Sequence, residues 1–143
     1  FVDAPKVLDS QLEVENATAQ AGIPVFLAGQ VSGTEGYVEA IRSGLHVALA
    51  ITAQFREVAL PPLPTETVFG ALLGYATNPE TLNYQPSHVN FGMLAPLEHP
   101  VRNKKARYAA YAQRGNNALE NYCHALCALG ILQQGLTSAN ASR

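Results

Sequence analysis

Ile23-Pro24-Val25-Phe26-Leu27-Ala28-Gly29-Gln30-Val31-Ser32-Gly33-Thr34-Glu35-Gly36-Tyr37-Val38-Glu39-Ala40 is the stretch on which the fold turns. Its apolar run, 23–28, lies between Gly22 and Gly29. A short continuous apolar run so bounded is how a strand buried on both faces of a parallel sheet reads. Beyond the glycines Val38, Ile41, Leu45, Ala48, Leu49, Thr52 and Phe55 recur at three- and four-residue spacing. That spacing predicts one amphipathic helix over 37–56 with this face turned to the core. Strand, glycine loop and helix together predict an α/β unit. Glycines let a ligand approach the backbone closely, and a helix N-terminus offers unpaired N–H groups and about half a positive charge, so an anionic or electron-rich group is expected there. The spacing G-x-x-x-G-x-x-G is not the dinucleotide fingerprint G-x-G-x-x-G, and taken alone it describes a tight strand-to-helix turn equally well.

Working outward, residues 1–21 are polar and turn-rich and are expected to form a surface strand-and-loop excursion. Leu60-Pro61-Pro62-Leu63-Pro64 cannot be helical and is too apolar for a free linker, which predicts an extended connector lying on the domain. Thr65 is expected to cap a short helix whose buried stripe is Val68, Phe69, Leu72, Leu73 and Ala76, ended by Asn78-Pro79. Residues 80–100 mix aromatics with Pro and Gly, the composition of a packed irregular loop that carries binding groups. A last helix is predicted over 102–129, with Gly115 as the place for a bend and a fraying tail after Gly130. The pattern divides the chain into a segment over 1–57 that ends in the strand, glycine loop and helix, and a helical region over 58–143 packed on it.

The 143 residues are 48% hydrophobic and 14% charged, which excludes a disordered linker. No apolar stretch is long enough to span a membrane and the opening residues lack the pattern of a secretion signal, so a cytoplasmic protein is expected. The chain opens without Met, in mid-pattern, and is expected to be a piece of a longer protein. The net charge of −2 conceals an asymmetry: residues 1–97 carry −6 and residues 98–143 carry +4. Five of the nine basic residues fall between Arg102 and Arg114, so a polyanion would meet the C-terminal part, unless the run is simply a solvated helix face. Cys123 and Cys127 stand four apart on one helix, with His124 and His99 as further metal-ligating types. Cys123 and His124 point about 100° apart on a helix, so no closed tetrahedral site follows, and buried packing of reduced thiols is expected with no metal.

The residues between the glycines resemble a known family. Ala28-Gly29-Gln30 through Tyr37-Val38-Glu39, Thr65-Glu66-Thr67-Val68-Phe69-Gly70-Ala71-Leu72-Leu73, Val89-Asn90-Phe91-Gly92-Met93-Leu94 and Lys104-Lys105-Ala106-Arg107-Tyr108 together look like the C-terminal portion of the folate- and FAD-dependent tRNA (uracil-5-)-methyltransferases, the TrmFO family, related to GidA. The likeness covers about 1–123. It implies a fragment of a Rossmann-like FAD-binding domain and an enzyme that carries a one-carbon unit from methylenetetrahydrofolate, with NAD(P)H as reductant through FAD, to C5 of the T-loop uridine of tRNA. It also implies that the dinucleotide fingerprint and the catalytic residues lie in a missing N-terminal FAD domain, so that no catalytic residue is expected in this fragment, which alone is inactive. Departures from the family pattern are small: Thr34 for Val, Ala40 for Ser, His88-Val89 before Asn90, Ala95 for Pro and Ala106 for Glu.

Carried over position by position, the likeness makes Gly29, Gln30, Gly33, Thr34, Glu35, Gly36 and Tyr37 the cofactor-binding residues. Gln30 would face the ribityl chain, the N–H groups near Glu35, Gly36 and Tyr37 the flavin's pyrimidine edge, and Tyr37 would stack in the flavin and folate region. Tyr37, His88 and Asn90 are folate-binding candidates, and Lys104, Lys105, Arg107 and Arg114 a tRNA-binding face for the T-arm. Two other readings stay open: a wobble-uridine-modifying flavoprotein of the MnmG or GidA type, and a non-enzymatic basic helical module that binds RNA.

Overall fold

The computed structural model describes residues 26–78, 80 and 85–133. Its elements are a 3-10 turn Gly29–Ser32, helix α1 Tyr37–Phe55, helix α2 Val68–Thr77, a second 3-10 turn Phe91–Met93 and helix α3 Lys104–Ala128. The described residues form no strand; a single parallel bridge pairs Thr34 with Ser87. Of the expected strand, 23–25 lie outside the described residues, and Ala28 is extended without belonging to a strand. A parallel strand exists only beside neighbours that satisfy its backbone groups, and among the described residues the pairing is one bridge. The described part is therefore helical, and the predicted segments 1–21 and 134–143 lie outside it.

α1 keeps its predicted length but not its predicted burial. Leu49 and Ala53 are buried, whereas Val38, Ile41, Leu45 and Phe55 are 63%, 74%, 53% and 86% exposed. The apolar period marked one face; among the described residues only Leu49 and Ala53 of it are buried. These two pack with Tyr122 and Leu126 of α3 and with Ile131, and Val58, Leu60, Leu63 and Leu132 close around them. The proline-rich connector thus lies on the core, as its composition predicted.

The cap of α2 is Thr67, two residues later than expected. Its hydroxyl donates to the Pro64 carbonyl at 2.7 Å and accepts from the Gly70 amide at 3.0 Å, so it joins connector to helix, which Thr65 does not do. Of the predicted stripe Leu72 and Ala76 are buried and the others half-buried. α3 begins at Lys104 behind Asn103, whose side chain accepts from the Ala106 amide at 3.0 Å. It runs 25 residues through Gly115 without interruption. Gly115 serves closeness instead of a break, since a Cβ there would stand 3.3 Å from the Glu66 carbonyl oxygen. Gly130, at φ +68°, ends the helix region, with Ile131 donating back to Leu126.

Candidate functional site

The glycine loop is held from both sides. Gly29 donates to the Ser43 hydroxyl of α1 at 3.0 Å, and the hydroxyls of Ser32 and Thr34 both donate to the Gly29 carbonyl, at 2.6 and 3.2 Å. Gly29, Gly33 and Gly36 take φ of +78°, +80° and +102°, a region that L side chains rarely adopt, so the chain turns into α1 on glycines because it must. Gln30 and Tyr37 stand outside this framework; the Tyr37 ring is 92% exposed.

The N–H groups expected to face a ligand are not equivalent. That of Glu35 is committed to the Ser87 carbonyl at 2.8 Å and so is not a ligand donor here. Those of Tyr37 and Val38 begin α1 behind Gly36, which brings no side-chain cap. The carboxylate of Glu39, in the first turn and only 8% exposed, folds back over Gly36 and accepts from the Val89 amide at 3.0 Å. The start of α1 therefore already has one negative group of its own, where the helix dipole favours it. Its burial was not legible in the sequence, where Glu39 stood only as part of the motif.

The Thr34–Ser87 bridge, of which the Glu35 amide on Ser87 is one bond, and the Val89 amide on Glu39 tie residues 87–89 to the glycine loop. His88 sits between these ties with an exposed side chain. Asn90 spends its amide on the local turn: Oδ1 accepts from Gly92 at 2.9 Å and Nδ2 donates to the His88 carbonyl at 3.4 Å. The structure thus places His88 beside the loop and gives Asn90 the role of fixing Phe91.

Among the basic residues, Arg114 stands apart. Its Nη1 and Nη2 donate to the carbonyls of Pro96 and Ala95, at 3.0 and 2.8 Å, and its guanidinium lies over the Tyr111 ring. It fastens the 95–96 loop to α3. Lys104 and Lys105 are exposed, and Arg107 makes one long bond, 3.3 Å, to the Val101 carbonyl. All three fall in the first turn of α3, which has no acidic residue. Cations there oppose the helix dipole, each at about 0.3 to 1 kcal/mol, a cost that a bound anion would relieve.

A polar seam between α1 and α3 was missed by the sequence reading, because Arg42 and His46 look like ordinary polar positions of an amphipathic helix. Arg42 Nη1, His46 Nδ1 and the Tyr122 hydroxyl are buried without a hydrogen-bond partner. Burial, and then the Arg42 charge, holds His46 below its ordinary value of 6.5. Burial pushes the Tyr122 hydroxyl and the Cys123 thiol up, the latter helped by Cys127, which suits packed, protonated thiols. A depressed histidine binds its proton more readily in the unfolded chain. Stability contributed by neutral His46 is thus present above about pH 6.5 and lost as the pH falls through its folded value. His46→Gln should flatten the fall of melting temperature as the pH drops below about 6.5, measured by thermal denaturation at a series of pH values. Among the described residues no group of three His, Cys, Asp or Glu is placed to hold a metal ion, and no helix is long and apolar enough to cross a membrane.

The family model of Glucose inhibited division protein A matches residues 1–59, which include the whole glycine loop and α1. The methylenetetrahydrofolate–tRNA-(uracil-5-)-methyltransferase TrmFO of Sphingopyxis alaskensis is 42% identical over 123 residues, 85% of this chain and 26% of its own length. The chain belongs to the TrmFO family. The TrmFO proteins of Solibacter usitatus and Moorella thermoacetica are 37% and 40% identical, over 88% and 80% of the chain and 28% and 25% of their own lengths. The chain therefore spans about a quarter of the length of the curated TrmFO relatives it matches. No solved structure matches it.

Proposed function

We propose that the chain is the flavin-side and tRNA-facing part of an enzyme that methylates C5 of the T-loop uridine of tRNA, with methylenetetrahydrofolate as carbon source and NAD(P)H-reduced FAD as electron source. The observation that carries this is the 42% identity to a TrmFO methyltransferase over 85% of the chain. The residues present suit a flavin. Three positive-φ glycines keep side chains off the backbone, Gln30 and Tyr37 are exposed beside it, and the first amides of α1 have no side-chain cap. FAD, when bound, supplies the redox chemistry of the transferred carbon. For the chain's own residues, Gln30 offers both a donor and an acceptor to a polyol chain, Tyr37 offers a ring face to a flat heterocycle, and the Tyr37 and Val38 amides offer donors to an electron-rich ring edge. Glu39 holds Val89, and through it His88, against this loop. His88 is the better folate candidate of the loop pair, since Asn90 is occupied by its turn.

The test uses the full-length protein with tRNA, NADH, FAD and methylenetetrahydrofolate labelled in its one-carbon unit. Label in the T-loop uridine supports the proposal. Label at the wobble uridine supports the other flavoprotein family, and RNA binding without transfer supports the non-enzymatic module.

The tRNA face is proposed as Lys104, Lys105 and Arg107, with Arg114 securing the loop beside them. Replacing those three by Ala in the full-length protein should flatten the log-log salt dependence of T-arm RNA binding by about two to three units, with flavin content unchanged. Titrations at several salt concentrations check this; an unchanged slope in a normally melting variant removes the start of α3 from the RNA site.

A further inference from the structure

Phe91 and Tyr108 lie face to face, ring centroids 4.6 Å apart and planes 9° from parallel, yet the two residues are 40% and 37% exposed. Tyr111 flanks Phe91 at 5.9 Å. Lys104 Nζ and Arg107 Cζ stand 5.7 and 5.9 Å from the Tyr108 ring centre. Two features hold the Phe91 ring in this position. The Asn90 side chain caps the Phe91–Met93 turn, and Leu94 just beyond it is buried. The Arg114 fork then anchors Ala95 and Pro96 to α3. A stacked aromatic pair so fixed, still partly exposed and with two flexible cationic side chains over its Tyr108 ring, is more than core packing needs.

We propose that Phe91 and Tyr108 form a stacking platform for one unpaired RNA base, with Lys104, Lys105 and Arg107 taking the adjoining phosphates. The proposal rests on the tRNA reading above and adds to it which side chains meet a base and by what chemistry. Unpaired bases stack on aromatic rings without needing a matching hydrogen-bond edge, whereas phosphates are met by charge, and here both kinds of group occupy the same end of α3. Charge complementarity selects RNA over an apolar peptide: three cations in a helix turn without an acid would be left uncompensated by an uncharged partner.

The experiment is carried out on the full-length protein with a T-arm hairpin carrying 2-aminopurine at successive loop positions. Binding is expected to quench the fluorophore strongly at one loop position through ring stacking. Phe91→Leu and Tyr108→Leu, which keep apolar volume but lose the π-face, should abolish that quenching and weaken binding by about 5- to 100-fold while leaving the salt slope unchanged. Phe91→Trp should restore both. Quenching and affinity unchanged in the two Leu variants, with a salt slope that still depends on Lys104, Lys105 and Arg107, would overturn the platform and leave the tRNA reading standing. Absence of T-arm binding by the wild-type protein would overturn both. Should a Leu variant melt early, the wild-type result still decides: no loop position quenched on binding means no base on the platform.

Discussion

Gly70→Ala is expected to cost about 3 kcal/mol of stability, although helix propensity alone favours Ala over Gly by about 1 kcal/mol. Gly70 occupies the first turn of α2, where its amide is bonded to the Thr67 hydroxyl. A Cβ there would overlap the Pro64 carbonyl oxygen and come within 2.6 Å of its carbon. Both obstacles are backbone, so they cannot rotate away. Either the connector lifts off the core formed by Leu60, Leu63 and their neighbours, or the first turn of α2 unwinds and its cap is lost. Gly74, one turn later, has nothing within 4 Å of the same added atom. Gly74→Ala should therefore raise the melting temperature slightly while Gly70→Ala lowers it by roughly ten degrees or more. Parallel melting curves of the two variants decide it; equal effects would mean that the connector does not approach α2 as described.

Gly36→Val should empty the full-length protein of most of its flavin. The backbone at Gly36 has φ +102°, and a Cβ would overlap the Glu39 carboxylate, 2.9 Å from Cδ. Glu39 can swing aside only by giving up the Val89 amide and its buried place. Strain at such a position costs about 1 to 3 kcal/mol, and the branched side chain also stands where the proposed cofactor approaches. Tyr37→Ala, by contrast, should leave flavin content nearly intact and slow methyl transfer by up to about tenfold, because ring stacking is worth roughly 0.5 to 1.5 kcal/mol while the backbone donors remain. Flavin absorbance per mole of purified protein, measured beside turnover, separates the two. A fully flavinated Gly36→Val protein would contradict the proposed cofactor position.

The sequence was most legible where one local rule acts alone. Period 3.6 located α1, α2 and α3, and a proline run announced the connector that covers the core. It was less legible where partners far along the chain decide. Nothing near Thr67 reveals that Pro64 must be bridged, so the cap was placed at Thr65. The apolar period of α1 cannot say how much of its face is covered, and Val38, Ile41 and Leu45 are open. Arg114 illustrates the limit for the site: counted as one more cation in a basic run, it is spent on two carbonyls 18 and 19 residues upstream. Phe91 and Tyr108 belong to separate sequence motifs, and only the fold brings them into one stack.

The two ties between the glycine loop and residues 87–89 carry a consequence for how variants combine. A bridge at Thr34, made through the Glu35 amide, and a carboxylate on the Val89 amide make two segments, some fifty residues apart in sequence, into a single mechanical part. Substitutions at Glu39 and at His88 are then epistatic: the first displaces the second, and a double variant loses less than the sum of its singles. Compensating changes would thus arise in pairs drawn from both segments, and a loop transplanted from a relative would need its matching partner strip to be transplanted with it.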